Sequence, residues 1–265
     1  MIQIDKIIEN AFQDSCTIKD LFDSANFLIE KGDSKSIHAF LEIGHLPKVN
    51  TTIYNNDKVN DWFDLLSKLI KKSNYQISNI LEQRAKRYKD KTFFQMISNE
   101  AITSISFKET WNKVQRLGSY FQSNLNKSDT VGILSPNHIN GALIDLACIA
   151  YGIRIVPIPL NLSSEHLKYV LIHADITHLF LGSELARELL IESKFNINNV
   201  EIIQIDNKNE WNDFCGKCSK NKIEPPNLKN LESLTTIMYT SGTTDNPKGI
   251  QFNQINIVSK QFARA

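Results

Sequence analysis

The chain has 265 residues, of which 42% are hydrophobic, enough for one large core or two modest domains. Thirty basic residues against twenty-nine acidic ones give a formal charge of +1, which provides no electrostatic reason to expect a nucleic acid or an anionic membrane as partner. No stretch approaches the roughly 20 apolar residues that span a bilayer, and residues 1–6 lack a signal-peptide core. We therefore expect a globular, cytoplasmic protein.

Residues 1–72 predict a helical extension. Apolar residues recur there at helical spacing, most clearly over 62–69, and β-rich runs are few. The stretch 47–56, rich in Thr and Asn, is interpreted as an internal linker, and 71–74 as the domain boundary. We favour a packing role for the extension, while contact with a partner or with a domain outside this chain stays open.

From residue 75 onward, helical and extended patterns alternate. Helical patterns at 76–88, 107–124, 138–151, 164–173 and 184–193 are interleaved with apolar runs at 92–96, 130–134, 153–158, 177–181 and 200–205. The polar stretch 206–229 is interpreted as a long connection. This alternation predicts an α/β fold with a mainly parallel sheet flanked by helices, in which ligands bind beyond the carboxyl ends of the strands.

The cysteines and histidines predict no metal site. Four cysteines are too few for the disulfide framework of a secreted protein of this length. Cys215 and Cys218 have the spacing of half a zinc site, but no second Cys-x-x-Cys or His-x3-His pair completes it. Packing is the favoured role for four histidines scattered over alternating elements, namely His138, His166, His173 and His178.

The segment Tyr239 to Gly249, with the sequence YTSGTTDNPKG, predicts a phosphate-binding loop. It follows an apolar, β-rich run at 234–239 and precedes a short strand that begins at Gly249. Gly242 lets the backbone turn and approach a phosphate closely, so that successive N–H groups can form an anion-binding nest. The segment would thus lie between two strands at the edge of a sheet.

Side chains of the same segment suit a polyphosphate. Lys248 provides a compact cation, and Pro247 limits how far that lysine swings. Neutral donors come from the hydroxyls of Thr240, Ser241, Thr243 and Thr244. Ser, Thr, Gly and Pro clusters also mark ordinary surface loops, and Lys248 precedes Gly249, which excludes the order of a Walker A loop.

The full eleven-residue order resembles the signature loop of the adenylate-forming superfamily, which includes acyl-CoA synthetases, luciferases and the adenylation domains of peptide synthetases. Two upstream blocks resemble the same family in the right order, one at 104–118 and one at 147–160 with the helix that follows it at 164–173. These blocks also have structural explanations, such as a capping box formed by Ser106 and Glu109. The resemblance covers 75–265 and implies that 73–265 is a partial AMP-binding domain.

The resemblance implies that a carboxylate attacks the α-phosphate of ATP, giving an acyl-adenylate and pyrophosphate, and that coenzyme A then takes the acyl group. It assigns the β- and γ-phosphates to the loop residues Thr240, Ser241, Gly242, Thr243, Thr244 and Lys248. Mg²⁺ would share the phosphate charge without a protein ligand that the sequence can name. Family members are longer, and the catalytic lysine is expected beyond Ala265, so this chain alone is expected not to complete adenylation.

Two departures from the family pattern occur, the second of them at a pair of residues. Asp245 stands where glycine is common, and Asn253 with Gln254 where a Thr-His pair is common. A carboxylate near phosphate repels it unless Mg²⁺ intervenes, although aspartate tolerates left-handed geometry better than most residues. The favoured function is fatty acyl-CoA synthesis. Its alternatives are an amino-acid-activating adenylation domain and a non-catalytic nucleotide-binding or interaction protein on the same scaffold.

Overall fold

The computed structural model describes residues 4–13, 15–97, 101–228, 230–240 and 246–263. The helices are α1 Ile4–Phe12, α2 Ile18–Lys31, α3 Ser34–Ile43, α4 Pro47–Asn55, α5 Val59–Ser73, α6 Ile77–Tyr88, α7 Phe107–Asn124, α8 Ile139–Tyr151, α9 Ser164–His173, α10 Glu184–Glu192, α11 Lys208–Lys220 and α12 Gln254–Ala263. The strands are β1 Thr92–Ile97, β2 Ile102–Ser106, β3 Thr130–Leu134, β4 Arg154–Ile158, β5 Ile176–Leu181, β6 Glu201–Gln204, β7 Leu234–Thr240 and β8 Lys248–Asn253.

The chain packs as two compact units. A helical unit is formed by the described residues of Met1–Gln83, Lys229–Glu232 and Gln254–Ala265, and an α/β unit by those of Arg84–Leu228 and Ser233–Asn253. The predicted domain boundary near residue 72 stays a prediction, since packing alone does not define an inherited domain. No helix among the described residues is both long and apolar enough to cross a membrane.

The α/β unit contains a six-stranded sheet in the order β6-β5-β3-β4-β7-β8. All neighbouring pairs are parallel except the last, in which β8 runs antiparallel to β7 at the sheet edge. This confirms the predicted mainly parallel sheet flanked by helices. The run at 92–96 does not join that sheet, because β1 and β2 are only four residues apart in sequence and pair locally as an antiparallel hairpin.

Sequence patterns explain the helices that cover the sheet. The capping box predicted at the start of α7 is present, with Ser106 Oγ accepting from the Glu109 N–H and the Glu109 carboxylate accepting from the Ser106 N–H. Val114 and Leu117 on α7 are buried. The central strand β3 is buried along its whole length, as expected for a parallel strand covered on both faces.

The predicted long connection at 206–229 is wrong over its first half, which forms α11. Asn207 caps this helix by accepting from the N–H groups of Asn209 and Glu210. Trp211, Phe214 and Cys218 then lie buried on one face at helical spacing. The many polar residues between these three obscured the stripe in the sequence.

The helical unit corrects the predicted linker at 47–56. Residues Pro47–Asn55 form α4, with the proline in the first turn, where a missing N–H is tolerated. Thr51 and Thr52 donate their hydroxyls to carbonyls one turn earlier, both at 2.9 Å, and Val49 and Ile53 are buried four residues apart. Hydroxyls that could favour a loop therefore bond within the helix instead.

The last helix, α12, also belongs to the helical unit. Its apolar residues include Ile257, Val258 and Phe262, for which the neighbouring sequence offers no core. Val258 and Phe262 are in fact buried, and the ring of Phe262 stacks on His45 with centroids 4.1 Å apart. The core that receives these side chains lies more than 200 positions earlier in the sequence, which local patterns do not reveal.

Candidate phosphate-binding site

The predicted loop leaves the carboxyl end of β7 and returns as β8. β7 is hydrogen-bonded to the parallel strand β4 on one side, with Thr236 opposite Ile155, and to β8 on the other. The register places Thr240 opposite Lys248 in the last pair before the connection. The predicted strands on both sides of the segment are therefore present, at the sheet edge where parallel-sheet ligands bind.

Two of the six predicted phosphate ligands can be placed. Thr240 and Lys248 are both exposed, and because they are directly opposite one another their side chains share a face of the hairpin. Lys248 forms no ion pair with any described residue, so its ammonium group is available to an anion. The other predicted ligands, Ser241, Gly242, Thr243 and Thr244, lie outside the described residues, as does Asp245.

The strand that precedes the loop is held at its end by a buried tyrosine. The hydroxyl of Tyr239 lies 2.6 Å from Nδ1 of His173, the last residue of α9. Burial raises the pKa of Tyr239, so that its hydroxyl keeps its proton at neutral pH and can donate to Nδ1. The His173 ring also stacks on Tyr169, with centroids 5.2 Å apart. This contact fixes the residue next to Thr240 against a helix.

Gly249 on the paired strand β8 allows that strand to approach Tyr239 closely. A Cβ placed on Gly249 would lie 3.1 Å from Ile237 Cγ2 and 3.2 Å from Tyr239 Cζ. Those distances are tighter than ordinary side-chain contacts, so the glycine allows the two strands to approach where the ring lies across them. Pro247, before Lys248, is buried and restricts the backbone dihedral φ. Both ends of the loop are therefore fixed by packing.

The described side chains suit an anion better than a directly bound metal. Lys248 and Thr240 provide a cation and a hydroxyl at the mouth of the hairpin. No group of three His, Cys, Asp or Glu side chains that could hold a metal ion occurs within the described ranges. Mg²⁺ commonly reaches nucleotide sites through substrate phosphates and few protein ligands. A magnesium polyphosphate therefore suits these residues.

Sequence reasoning missed the role of His173. It was assigned to packing, and its partner Tyr239 is 66 positions away. The histidine is the last residue of a helix and the tyrosine is the next-to-last residue of a strand, and only the fold brings the two together. No local spacing rule could have paired them.

Comparison with known proteins identifies the family. The AMP-binding enzyme family matches residues 81–264, which is more than half of the chain. The chain therefore belongs to the AMP-binding enzyme family, and the resemblance stated from the loop is confirmed.

Individual relatives are acid-activating ligases. The chain is 28% identical over 171 residues to fatty acyl-CoA synthetase A of Dictyostelium discoideum, covering 59% of this chain and 26% of that protein. It is 27% identical over 185 residues to long-chain-fatty-acid–CoA ligase 5 of Rattus norvegicus, covering 62% of this chain and 27% of that ligase. A D-alanine–D-alanyl carrier protein ligase of Listeria welshimeri is 29% identical over 161 residues, covering 60% and 30%. The matches thus span about a quarter to a third of these relatives.

Solved structures show the same fold. A complex of VinN with L-aspartate superposes with a TM-score of 0.61 at 17% identity, covering 72% of this chain and 47% of VinN. A fatty acyl CoA synthetase of Mycobacterium tuberculosis superposes with a TM-score of 0.55 at 17% identity. This match covers 68% of this chain and 34% of the synthetase. At this level of identity the likeness concerns the fold alone.

Proposed function

We propose that this chain is the ATP phosphate-binding part of a ligase that activates a carboxylic acid as an acyl-adenylate and passes the acyl group to coenzyme A. The observation that carries the proposal is the exposed Lys248 opposite Thr240 at the mouth of the hairpin whose connection has the signature sequence. Membership of the AMP-binding enzyme family supports ATP as the nucleotide. The six loop residues given by the resemblance are the proposed phosphate ligands.

In the proposed reaction an oxygen of the substrate carboxylate attacks the α-phosphorus of ATP. The bond from that phosphorus to the oxygen bridging to the β-phosphate breaks, and pyrophosphate leaves with the electron pair. Lys248 and the Thr240 hydroxyl would stabilise the charge that builds on the β- and γ-phosphates. The thiol of coenzyme A would then displace AMP from the acyl carbon, with the catalytic lysine expected beyond Ala265.

A fatty acid is the proposed substrate, because the synthetases from Dictyostelium and rat carry that specificity in their names. An amino acid is the second candidate, supported by the similarity to a D-alanine ligase. ATP–pyrophosphate exchange by the whole protein that carries this chain distinguishes them. Exchange with hexadecanoate and none with D-alanine is the expected result, and the reverse pattern would replace the fatty acid by an amino acid.

The same assay addresses the chain by itself. We expect the purified 265-residue protein to give no exchange with any carboxylate, since the residues assigned to chemistry are expected beyond Ala265. Exchange by this chain alone would contradict that expectation. Binding of the nucleotide does not depend on this outcome and is measured separately.

A non-catalytic nucleotide-binding or interaction protein is the remaining alternative, and Asp245 is the residue that favours it. Replacing it in the whole protein, Asp245→Gly, restores the common family residue. A large gain in exchange activity would support decay of a former enzyme. Unchanged exchange would support an enzyme that tolerates aspartate, as we propose.

Location and further partners complete the proposal. All four cysteines are free thiols, which supports a reducing compartment such as the cytoplasm. ATP and a carboxylic acid are the proposed small-molecule partners, with Mg²⁺ bound through phosphate. For the extension at 1–72 we propose packing as its role.

A further inference from the structure

A cleft of about 560 Å³ opens at the carboxyl end of β3, within the α/β unit. Its volume lies in the range of small-molecule sites. Its walls come from the hairpin strand β1, the turn between β3 and α8, and the second turn of α8. Phe94, Ile97, Ile133 and Pro157 make much of this wall apolar. Its titratable lining residues, His138 and Asp145, are not among the proposed phosphate ligands.

Asp145 lacks the partners that a buried carboxyl group requires. It is the one charged residue of α8, whose other residues are largely buried and apolar. Its Oδ1 atom is buried without a hydrogen-bond partner among the described residues, and Asp145 is one of the residues that line the cleft. Burial raises the pKa of Asp145 to about 6, so the group is largely ionised at pH 7.5. Asp145 is half-buried, and a carboxylate oxygen that is buried without a donor is unfavourable until a donor reaches it.

The remaining polar groups of the cleft do not supply a positive charge. No lysine or arginine is among the described residues that line it. His138 accepts the Asn140 N–H at Nδ1, at 3.1 Å, and burial lowers the pKa of its imidazole, so the ring is neutral at pH 7.5. Ser135 donates its hydroxyl to the Pro136 carbonyl at 2.7 Å. The cleft therefore combines one negative charge with apolar walls.

We propose that this cleft binds the cationic group of a ligand with an apolar body, an alkylammonium or alkylguanidinium, through the carboxylate of Asp145. The cation neutralises a charge that no described residue neutralises, and its N–H groups supply the missing donors. The alkyl part lies against the apolar wall. In the sheet, β4 lies between β3, at whose end the cleft opens, and β7, which precedes the phosphate-loop sequence.

The test is calorimetric titration of the 265-residue protein with n-butylguanidinium chloride at pH 7.5, with n-pentanol as the neutral probe of similar size. Wild-type protein is expected to bind the cation and not the alcohol. Asp145→Asn should weaken cation binding at least about tenfold, since charge-assisted hydrogen bonds are the stronger class. Asp213→Asn is the matched control, because Asp213 is an exposed helical aspartate on α11. Its binding should equal that of wild type.

Three results would overturn the proposal: no binding of n-butylguanidinium, equal binding by Asp145→Asn, or equal binding of n-pentanol. A second readout does not require a folded variant. In wild-type protein, saturating n-butylguanidinium should lower the titration midpoint of the Asp145 carboxyl, followed by its ¹³C chemical shift. An unchanged midpoint also contradicts the proposal.

The same cationic chemistry could come from a free small molecule or from an arginine of a polypeptide. Titration with N-acetyl-Gly-Arg-Gly-amide distinguishes these sources. Binding of n-butylguanidinium alone assigns the cleft to a free small molecule, whereas tighter binding of the peptide assigns it to an arginine-bearing segment. Either result supports the cation site, provided that Asp145→Asn abolishes it.

Discussion

At the scale of single residues, Tyr239 and Lys248 have different roles in the proposed site. Lys248 is exposed, whereas Tyr239 is buried and its hydroxyl contacts His173. A change at Tyr239 should therefore affect stability first, and a change at Lys248 should affect anion binding alone. Their adjacency to the same loop allows the two effects to be separated.

Removing the tyrosine hydroxyl tests its positioning role. Tyr239→Phe should lower the free energy of unfolding by about 1 kcal/mol, since it removes one buried hydrogen bond and leaves His173 Nδ1 without its partner. Urea denaturation of the 265-residue chain measures the change. Tyr120→Phe is the matched control, because the Tyr120 hydroxyl forms no hydrogen bond with a described residue. Equal losses in the two variants would contradict the role of the His173 contact.

Asp145 predicts a pH dependence of stability. Its pKa of about 6 in the folded chain exceeds the reference of 3.8, so the folded state keeps the proton between those values after the unfolded chain has lost it. The contribution of Asp145 to the free energy of unfolding therefore declines by roughly 3 kcal/mol as pH rises from about 4 to 6, and it stays low above that range. His138 and Cys148 are the nearby titratable groups. Burial raises the pKa of the Cys148 thiol, which stays neutral in this window. Burial lowers the pKa of His138 from its ordinary value of 6.5, so the contribution of His138 to stability rises with pH and opposes that of Asp145.

The variant Asp145→Asn isolates this effect. We expect it to raise the free energy of unfolding at pH 8 by about 2 kcal/mol, because burial of the amide offsets part of the gain. Near pH 4 the same cost of burying the amide should leave the variant about 1 kcal/mol less stable than wild type, because the wild-type carboxyl group is then protonated. Urea denaturation across pH 4 to 8 measures it, and a constant difference over that range would contradict the assigned pKa.

At the scale of elements, caps and amphipathic stripes explain most helix boundaries. Ser106→Ala should destabilise the chain by about 1 kcal/mol through loss of the α7 cap. The double variant Ser106→Ala with Glu109→Ala should lose less than the sum of the single losses, because the two side chains act together. Chemical denaturation of the three variants measures this, and strict additivity would show that the box is not a unit.

Some helices and strand pairings could not be predicted from the sequence patterns. The alternation from residue 75 predicted the parallel sheet, because buried parallel strands are short apolar runs that the helices interrupt. It did not predict α4 or α11, whose surfaces are rich in Thr, Asn and Lys and whose buried residues form narrow stripes. It also missed that β1 and β2 pair only with each other. In each case the tertiary packing determines the secondary structure or strand pairing, which the local sequence alone does not specify.

At the scale of the whole molecule, the sequence predicted the family and the place of the loop, since both rest on contiguous motifs. Contacts between distant segments were not predictable. The contact of Tyr239 with His173 spans 66 positions, and the buried Asp145 gives no local sign of lacking a partner. The stacking of Phe262 on His45 is a third example of this kind.

The last helix offers a test of the helical unit. Phe262 is 6% exposed, and Phe262→Ala should destabilise the unit by about 3 kcal/mol, because it removes a buried ring and leaves a cavity. Lys260→Ala, an exposed change on the same helix, should have an effect near zero. Thermal or urea unfolding followed by circular dichroism measures both. A tolerated Phe262→Ala would show that α12 does not contribute to this core.

The central claim is that the hairpin around Lys248 binds the phosphates of ATP, and calorimetric titration of the 265-residue chain with magnesium ATP tests it most directly. We expect wild-type protein to bind, Lys248→Ala to weaken binding about tenfold, and Lys127→Ala, which removes an exposed lysine elsewhere in the α/β unit, to bind as wild type. Absence of binding, or equal affinities for wild type and Lys248→Ala, would contradict the claim.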